Sequence, residues 1–254
     1  MDKMSLDLSG KVALITGGSR GLGKAIAMAM AKKGALVIIC GRKQENLDIA
    51  VNDFKKAGLD LMARVANVGK SDQVRDMFLA IEERFGKLDI LVNNVGMNIL
   101  TPAVIAADEG LWDKIIETNL KGPYLVSTQA AGLMKKAGGG KIINISSIAA
   151  KRAARGMGIY CVAKAGLEML TKVLAIELSN DHINVNAVAP SVVRTQFSQP
   201  FWSNKDLLKE IIKTIPMGRI AETDDVVGTV LFLASGLSDF ITGDVITVDG
   251  GSMA

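Results

Sequence analysis

The sequence contains few of the residues that form disulfide bonds and metal centres. Among 254 residues there are two cysteines, Cys40 and Cys161, and one histidine, His182. Two cysteines do not make a disulfide framework, and no group of cysteines and histidines has the spacing of metal ligands. We therefore predict a protein without a metal site, in a reducing compartment that we take to be the cytoplasm. His182, which follows a predicted helix, is expected to be a surface residue.

Long apolar runs and basic stripes are also missing. No apolar run reaches the length that crosses a membrane, and residues 1–10 lack the apolar region of a signal peptide. The 30 lysines and arginines are dispersed among 26 acidic residues, which leaves a formal net charge of +4. Because the sequence has no basic stripe and no alternation of aromatic and basic residues, it predicts neither a membrane nor a nucleic-acid partner.

Proline is scarce, with 5 residues, whereas glycine is abundant, with 26. Together with a hydrophobic content of 49%, this composition is typical of a folded α/β protein with short turns between its elements. No linker, composition shift or low-complexity segment divides the chain. We therefore predict a single domain over residues 1–254.

Continuously apolar segments alternate with segments of helical periodicity along the chain. The predicted strands are 12–16, 36–40, 61–65, 89–93, 141–146, 183–189 and 245–248. The predicted helices are 22–33, 43–56, 71–85 with Ser71 as N-cap, 108–136 with an interruption near Pro123, and a long one that follows Ile159. Apolar strands that alternate with helices are typical of a parallel sheet covered on both faces. The predicted fold class is α/β, a doubly wound, Rossmann-like domain with a seven-stranded parallel sheet.

A glycine-rich turn, residues 16–23, connects the first predicted strand to its helix. Its glycines do not follow the common G-x-G-x-x-G spacing. Glycine lets the backbone turn sharply and approach a ligand, and the N-terminus of the next helix offers free N–H groups to a pyrophosphate. We predict a dinucleotide site formed by Gly17, Ser19, Arg20, Gly21, Leu22 and Gly23. A tight turn without a ligand is the alternative.

The end of the second strand bears on the choice of cofactor. A site for NAD usually places a carboxylate about 20 residues after the glycine turn, against the ribose hydroxyls. Here Arg42 and Lys43 follow the strand, and the first acid is Glu45. Arg20 and Arg42 could pair with the 2′-phosphate of NADP, which a carboxylate would repel. We therefore predict NADP(H) rather than NAD(H), the alternative being that both arginines are solvated surface residues.

Tyr160 and Lys164 lie four residues apart in the long helix without proline that follows Ile159. Residues at this spacing share one helix face. A phenol has a pKa of about 10, and a nearby ammonium favours the phenolate. We therefore expect a lowered Tyr160 pKa and a proton donor or acceptor for chemistry at a carbonyl or alcohol carbon. An amphipathic surface pair without chemistry is the alternative.

Taken together, these motifs resemble those of the short-chain dehydrogenases/reductases over almost the whole chain. The matching residues are the turn from Thr16 to Gly23, Asn93-Asn94-Val95-Gly96, Asn119, Ser147, Tyr160-x-x-x-Lys164, Pro190, Thr242-Gly243 and Asp249-Gly250-Gly251. Val95 stands where the family usually has alanine, Ser191 where it has glycine, and Asn67 where many members have aspartate. None of these departures removes a catalytic group.

The resemblance implies a four-residue mechanism. Tyr160 exchanges a proton with the substrate oxygen, and Ser147 hydrogen-bonds that oxygen. Lys164 holds the nicotinamide ribose and lowers the Tyr160 pKa. Asn119 orders a water beside Lys164, unless it only marks a helix kink. The cofactor contacts implied beyond the glycine turn and Arg42 are Asn67, Val68, Asn94, Gly96, Tyr160, Lys164, Pro190, Val193 and Thr195. Thr195 is expected at the carboxamide, with a loop N-cap as the alternative.

The substrate side is less defined by the sequence. Residues 191–216 are a candidate lid, and its aromatic residues Phe197, Phe201 and Trp202 could cover an apolar substrate or pack against the body of the protein. Candidate wall residues are Met97, Ile99, Ile148 and Met157, with core packing as the alternative. The cluster of Lys151, Arg152 and Arg155 could meet an anionic substrate, a phosphopantetheine arm or an acidic carrier protein, or could simply be a solvated loop.

The leading functional hypothesis is an NADPH-dependent reductase of a ketone or 3-oxo compound, acting on a small molecule or an oxoacyl thioester. A 3-oxoacyl-[acyl-carrier-protein] reductase is the first specific alternative, because residues 112–120 and the Asn67-Val68 pair are similar to that subfamily. A sugar or polyol dehydrogenase is another, and a non-catalytic dinucleotide sensor or scaffold is an alternative of a different class. The resemblance also implies a homotetramer built on helices around 108–136 and 156–178 and on the C-terminal segment.

Overall fold

A seven-stranded sheet forms the centre of the computed structural model, which describes residues 5–254. Its strands are β1 (Val12–Thr16), β2 (Leu36–Gly41), β3 (Leu61–Val65), β4 (Ile90–Asn93), β5 (Gly140–Ile145), β6 (Ile183–Pro190) and β7 (Val245–Val248). They lie in the order β3-β2-β1-β4-β5-β6-β7, and all neighbouring pairs are parallel. The prediction of a seven-stranded parallel sheet is confirmed.

Helices cover both faces of the sheet. They are α1 (Gly21–Lys32), α2 (Gln44–Lys56), α3 (Ser71–Phe85), α4 (Glu109–Ile116), α5 (Gly122–Lys136), α6 (Gly158–Leu178), α7 (Gln199–Trp202), α8 (Lys205–Lys213) and α9 (Thr223–Ala234). Short 3-10 turns and one π-helical segment, Glu117–Lys121, complete the elements.

Two apolar cores lie on opposite faces, because successive side chains of a strand point in opposite directions. Ala13 and Ile15 of β1 pack with α1, α2 and α9 in one core. Val12 and Leu14 pack with α3, α5 and α6 in the other. Each fully buried leucine or isoleucine contributes roughly 1.5–3 kcal/mol relative to an exposed one. This two-sided burial explains why the strands are apolar throughout.

Of two details predicted for the helices, the structure contradicts the first and agrees with the second. The N-cap of α3 is Lys70, which has extended backbone, so Ser71 is the first helical residue and provides no side-chain cap. The prediction of Ser71 as N-cap is therefore wrong. The predicted helix 108–136 does divide, into α4, the π-helical segment and α5, and Pro123 lies in the first turn of α5.

None of the helices within residues 5–254 combines the length and apolarity needed to cross a bilayer. In the same part of the chain, no three His, Cys, Asp or Glu side chains come together as candidate metal ligands. Cys40 is buried, and Cys161 is partly buried on α6; both are free thiols. His182 is exposed, as predicted for a surface residue, with a left-handed backbone (φ 57°) at the turn before β6.

Candidate active site

A cleft of about 760 Å³ runs along the carboxyl ends of the strands. Its lining includes the β1–α1 turn, the residues after β2, β4 and β5, and the segment after β6. The order of the strands reverses between β1 and β4, and ligands of doubly wound sheets bind in the crevice at this switch point. A second hollow of about 360 Å³ beside Ser9 and Gly34 is lined by none of the predicted site residues.

The β1–α1 turn depends on glycine at defined positions. Gly17 and Gly21 have left-handed backbone, with φ of 67° and 53°. A Cβ atom on Gly23 would collide with the Gly17 carbonyl oxygen and the Asn94 amide. The Asn94 Nδ2 donates to the Thr16 carbonyl at 3.0 Å, which ties the end of β4 to the turn. The turn is therefore closely packed, and only glycine fits at residue 23.

The N-terminus of α1 retains the means to bind an anion. Its N-cap, Arg20, makes no side-chain capping bond, and the first turn contains no acidic residue. The first N–H groups of a helix have no partner within the helix, and the helix dipole makes this end positive. The narrow glycine turn and the uncapped helix end together fit the pyrophosphate of a dinucleotide.

Basic side chains surround the far end of the same site. Arg42 and Lys43, just after β2, line the cleft, and Arg42 is exposed and forms no ion pair within residues 5–254. The Arg20 Nη1 donates to the Gln196 Oε1 at 2.9 Å. Arg20 thus contacts the segment after β6 as well as the glycine turn. No local sequence pattern indicates this bond to Gln196, because the two residues are 176 positions apart.

The remaining residues predicted as cofactor contacts also line the cleft. They are Ser19, Leu22, Asn67, Val68, Asn94, Gly96, Pro190, Val193 and Thr195. Among the departures from the family pattern, Val95 packs near Gly17, and the Ser191 N–H donates to the Val248 carbonyl at 3.1 Å. Thr195 lies close to Gly21, and its N–H donates to the Ser198 hydroxyl. The structure thus brings all predicted cofactor residues to one site, and their roles stay predictions.

The predicted catalytic side chains meet near the middle of the cleft. Tyr160 and Lys164, on successive turns of α6, are 7% and 3% exposed, yet both line the cleft. The Lys164 Nζ donates to the Ile145 carbonyl at 2.7 Å and lies 5.6 Å from the Tyr160 ring centroid. Ser147 lines the cleft two residues after β5. The sheet edge and one helix face therefore hold the three groups together.

Burial sets the pKa values of this pair. It raises the pKa of Tyr160 to about 12, while a hydrogen bond with the Ser147 side chain acts in the lowering direction. Burial also lowers the pKa of Lys164 to about 8. The expected lowering of the Tyr160 pKa is therefore wrong for this structure. The cause is desolvation of the buried phenolate. A hydrogen bond from Lys164 does not offset it, because the Lys164 Nζ donates to the Ile145 carbonyl rather than to the phenol.

Asn119 lies in the π-helical segment and is fully buried. Its Nδ2 donates to the carbonyls of Ile115 and Met97, each at 2.8 Å, and its Oδ1 accepts from the Met97 N–H at 3.1 Å. A Cβ atom on Gly96 would lie 3.4 Å from this Oδ1 and 3.9 Å from the Lys164 Nζ. Asn119 therefore fixes the loop segment that follows β4 beside Lys164, which the sequence did not indicate. π-Helical turns are frequent at functional sites.

The segment 191–216 contains the short helices α7 and α8. Phe197 and Phe201 line the cleft, and the Phe197 ring centroid lies 6.4 Å from that of Tyr160. Trp202 instead donates its Nε1–H to the Thr195 carbonyl at 3.1 Å and does not line the cleft. The predicted lid aromatics therefore divide into two that face the site and one that holds the segment in place.

The other predicted substrate-side residues also divide. Met97, Ile148 and Met157 line the cleft, whereas Ile99 is 39% exposed and does not, so its prediction as a wall residue is wrong. Arg152 and Arg155 line the cleft as well. Lys151 does not, because its Nζ donates to the Thr247 hydroxyl at 2.8 Å.

Comparison with known proteins agrees with this geometry. A sequence model of the family described as enoyl-(acyl carrier protein) reductase matches residues 17–253. The human dehydrogenase/reductase SDR family member 4 is 37% identical over 245 residues, which cover 96% of this chain and 88% of that protein. A tropinone reductase homolog of Arabidopsis thaliana is 39% identical over 96% of this chain and 92% of its own.

A solved structure is similar over nearly the whole chain. It is a gluconate 5-dehydrogenase from Burkholderia cenocepacia in complex with NADP and tartrate, with a TM-score of 0.93. The two sequences are 33% identical, and the match covers 97% of this chain and 96% of that one. From the family match, the relatives and the shared fold, the chain belongs to the short-chain dehydrogenases/reductases, oxidoreductases that bind a nicotinamide dinucleotide and act on small molecules.

Proposed function

We propose that the protein is an NADP(H)-dependent oxidoreductase that interconverts a ketone or 3-oxo compound and the secondary alcohol by hydride transfer. One observation carries this proposal. The buried pair of Tyr160 and Lys164 and the Ser147 hydroxyl line the same cleft as the glycine turn that fits a dinucleotide. A proton donor beside a cofactor site is the arrangement that carbonyl reduction needs.

The glycine turn and the start of α1 would hold the pyrophosphate, and Arg42, with Arg20, would hold the 2′-phosphate. When bound, NADPH would supply the hydride for the carbonyl carbon. The absence of any Asp or Glu from the described lining of the cleft supports NADP(H) over NAD(H). The NADP in the Burkholderia cenocepacia structure is consistent with the same choice.

Tyr160 would serve as the general acid in reduction. A phenol with a pKa of about 12 is protonated near neutral pH, so it can give its proton to the carbonyl oxygen as negative charge develops there. The Ser147 hydroxyl would donate a hydrogen bond to the same oxygen and stabilise that charge. In the reverse direction Tyr160 would accept the proton of the alcohol.

Lys164 would hold the nicotinamide ribose and influence the phenol through its charge. With a pKa of about 8, it is largely protonated at neutral pH. Asn119 would keep the loop segment that follows β4 in position. Through the remaining lone pair of its Oδ1, it would also order a water beside Lys164. That water would return protons from solvent.

The remaining expectations enter the same proposal. Residues 1–254 would form one domain with 191–216 as a lid, and the protein would act in the cytoplasm as a homotetramer. Apolar side chains exposed on α6, among them Met169, Val173 and Ile176, support an interface on that helix.

The finer alternatives for the activity are a 3-oxoacyl-[acyl-carrier-protein] reductase and a sugar or polyol dehydrogenase. The name of the Burkholderia cenocepacia protein, a gluconate 5-dehydrogenase, favours the second.

The test is a substrate panel with both coenzymes. Aliphatic and cyclic ketones, oxoacyl thioesters and keto sugars would be assayed by coenzyme oxidation with NADPH and with NADH. We expect turnover of at least one class, with a higher kcat/KM for NADPH. Tight NADPH binding without turnover of any class would contradict the proposal and favour a dinucleotide sensor.

A further inference from the structure

Arg152 and Arg155 lie in the segment between β5 and α6, and both exposed side chains line the cleft. Neither forms an ion pair within residues 5–254, unlike Arg194 and Arg219, which each pair with a carboxylate. The mechanism proposed above gives them no role. They are therefore two unassigned guanidinium groups at the site of the chemistry.

These arginines are distant from the basic residues assigned to the cofactor. Arg42 and Lys43 follow β2, Arg152 and Arg155 follow β5, and β1 and β4 lie between those two strands. Three strand spacings put the ends of β2 and β5, from which the two groups follow, about 14 Å apart along the sheet edge. A cofactor phosphate bound by Arg42 would therefore leave the charge of the second pair uncompensated.

The cleft itself provides no counter-charge for the pair. Its lining within the described chain contains lysines and arginines but no Asp or Glu. A cleft lined by one sign of charge raises the local concentration of oppositely charged ligands. Lys151 is different, because it bonds the Thr247 hydroxyl and does not line the cleft. The attraction for an anion at this end thus belongs to Arg152 and Arg155.

A second polar feature lies near the catalytic groups. Asn98 lines the cleft two residues after Gly96, and its Oδ1 is buried without a hydrogen-bond partner within residues 5–254. Buried amides in folded proteins almost always have a partner. The neighbouring Gly96 packs close to the Asn119 amide and the Lys164 ammonium. The unpaired Asn98 oxygen needs a hydrogen-bond donor, which a hydroxyl group of a substrate would supply and a hydrocarbon would not, and it does not itself attract a carboxylate.

We propose that the substrate is a carbonyl compound that carries a carboxylate, which Arg152 and Arg155 bind while Tyr160 acts on the carbonyl oxygen. The inference rests on the proposed ketone reduction and adds the class of substrate. The guanidinium fork matches the two oxygens of a carboxylate. Both arginines are exposed, so water solvates their guanidinium groups when a neutral substrate is bound. The preference for an acid therefore arises from the hydrogen bonds that its carboxylate gains.

The test compares oxo acids with their neutral esters. The full chain would be assayed with NADPH on acetoacetate, levulinate and the methyl ester of each. We expect a higher kcat/KM for the acid than for its ester. In the double variant Arg152→Gln/Arg155→Gln this ratio should fall roughly ten- to a hundredfold, the effect of losing charge-assisted hydrogen bonds. The kcat/KM for the ester should fall far less than that for the acid, and added salt should reduce the wild-type ratio.

Lys151→Gln is the matched control. It removes one positive charge from the same segment, but its side chain contacts Thr247 rather than the cleft. We expect the acid-to-ester ratio of this variant to equal that of the wild type. An equal loss in Lys151→Gln and the arginine variants would overturn the assignment of direct contacts.

Other outcomes also overturn the inference. A wild-type ratio at or below one would do so, and so would an equal loss for acid and ester in the double variant. If the arginines mattered only for thioesters on an acidic carrier protein, they would bind the surface of that protein rather than a carboxylate of the substrate. If NADPH reduces no carbonyl compound at all, the proposed function fails separately. Calorimetry of levulinate and its methyl ester on NADP⁺-loaded protein then decides the arginine assignment, which equal binding of the two would refute.

Discussion

The two ends of the cleft are built in different ways. The cofactor end is centred on β1, one glycine turn and the start of α1, which are consecutive in sequence, with Arg42 beside them after β2. The substrate end collects side chains from the segments after β4, β5 and β6. In the proposed function the first end holds the pyrophosphate through backbone shape, and the second end contacts the substrate through side chains on separate loops. A change of substrate therefore requires only loop substitutions, whereas the cofactor turn tolerates few replacements.

The proposed catalytic pair, Tyr160 and Lys164, lies where the two ends meet. Tyr160→Phe removes the proton donor and keeps the ring, so we expect kcat to fall about 10²- to 10⁴-fold with little change in NADPH affinity. Tyr124, the other tyrosine, is exposed on α5 and does not line the cleft, so Tyr124→Phe should retain full activity. Steady-state kinetics and NADPH titration measure both variants. Retained turnover in Tyr160→Phe would remove the phenol from the mechanism.

Charge at the cofactor end should control the coenzyme alone. We expect Arg42→Gln to reduce the preference for NADPH over NADH in kcat/KM by roughly ten- to a hundredfold. The kcat/KM with NADH and the acid-to-ester ratio should remain unchanged. Arg84, which stacks on Phe85 away from the cleft, provides the control Arg84→Gln. An unchanged coenzyme preference in Arg42→Gln would show that its guanidinium does not bind the 2′-phosphate.

The shape of the glycine turn should be needed for stability as well as for binding. We expect Gly23→Ala to lower the free energy of unfolding by about 1–3 kcal/mol, because the new methyl group meets the Gly17 carbonyl oxygen. Gly132→Ala, on α5 with open space around it, should be neutral or stabilising by about 0.5–1 kcal/mol. Urea denaturation measures both. Equal stability changes would mean that the turn is not closely packed.

The smallest expected effect is a pH dependence of stability from Lys164. Its pKa is about 8 in the folded chain against an ordinary 10.5, so the unfolded chain binds more protons between these values. Stability from this group therefore rises with pH, by about 1–2 kcal/mol between pH 8 and 10. The raised pKa of Tyr160 opposes this only above about pH 10. The difference between wild type and Lys164→Met in urea denaturation isolates the effect, and a flat difference would contradict it.

The cofactor end was largely predictable from sequence because its determinants are local. The alternation of strands and helices, the glycine turn and the spacing of Tyr160 and Lys164 follow from periodicity and neighbouring residues. The substrate end depends on distant contacts, such as the bonds of Asn119 to Met97 and of Lys151 to Thr247, which no local pattern indicates. The direction of the Tyr160 pKa was missed for a similar reason, since burial is a property of the folded chain.

The proposed chemistry is that Tyr160 protonates a carbonyl oxygen while hydride from a bound nicotinamide reduces the carbon. Its test uses NADPH with deuterium at both C4 positions of the nicotinamide, and mass spectrometry of the alcohol formed from the best substrate in the panel. We predict one deuterium on the carbinol carbon with the wild type and almost no alcohol with Tyr160→Phe. Alcohol without deuterium would rule out hydride transfer from the coenzyme. Equal yields of labelled alcohol from both proteins would rule out Tyr160 as the proton donor.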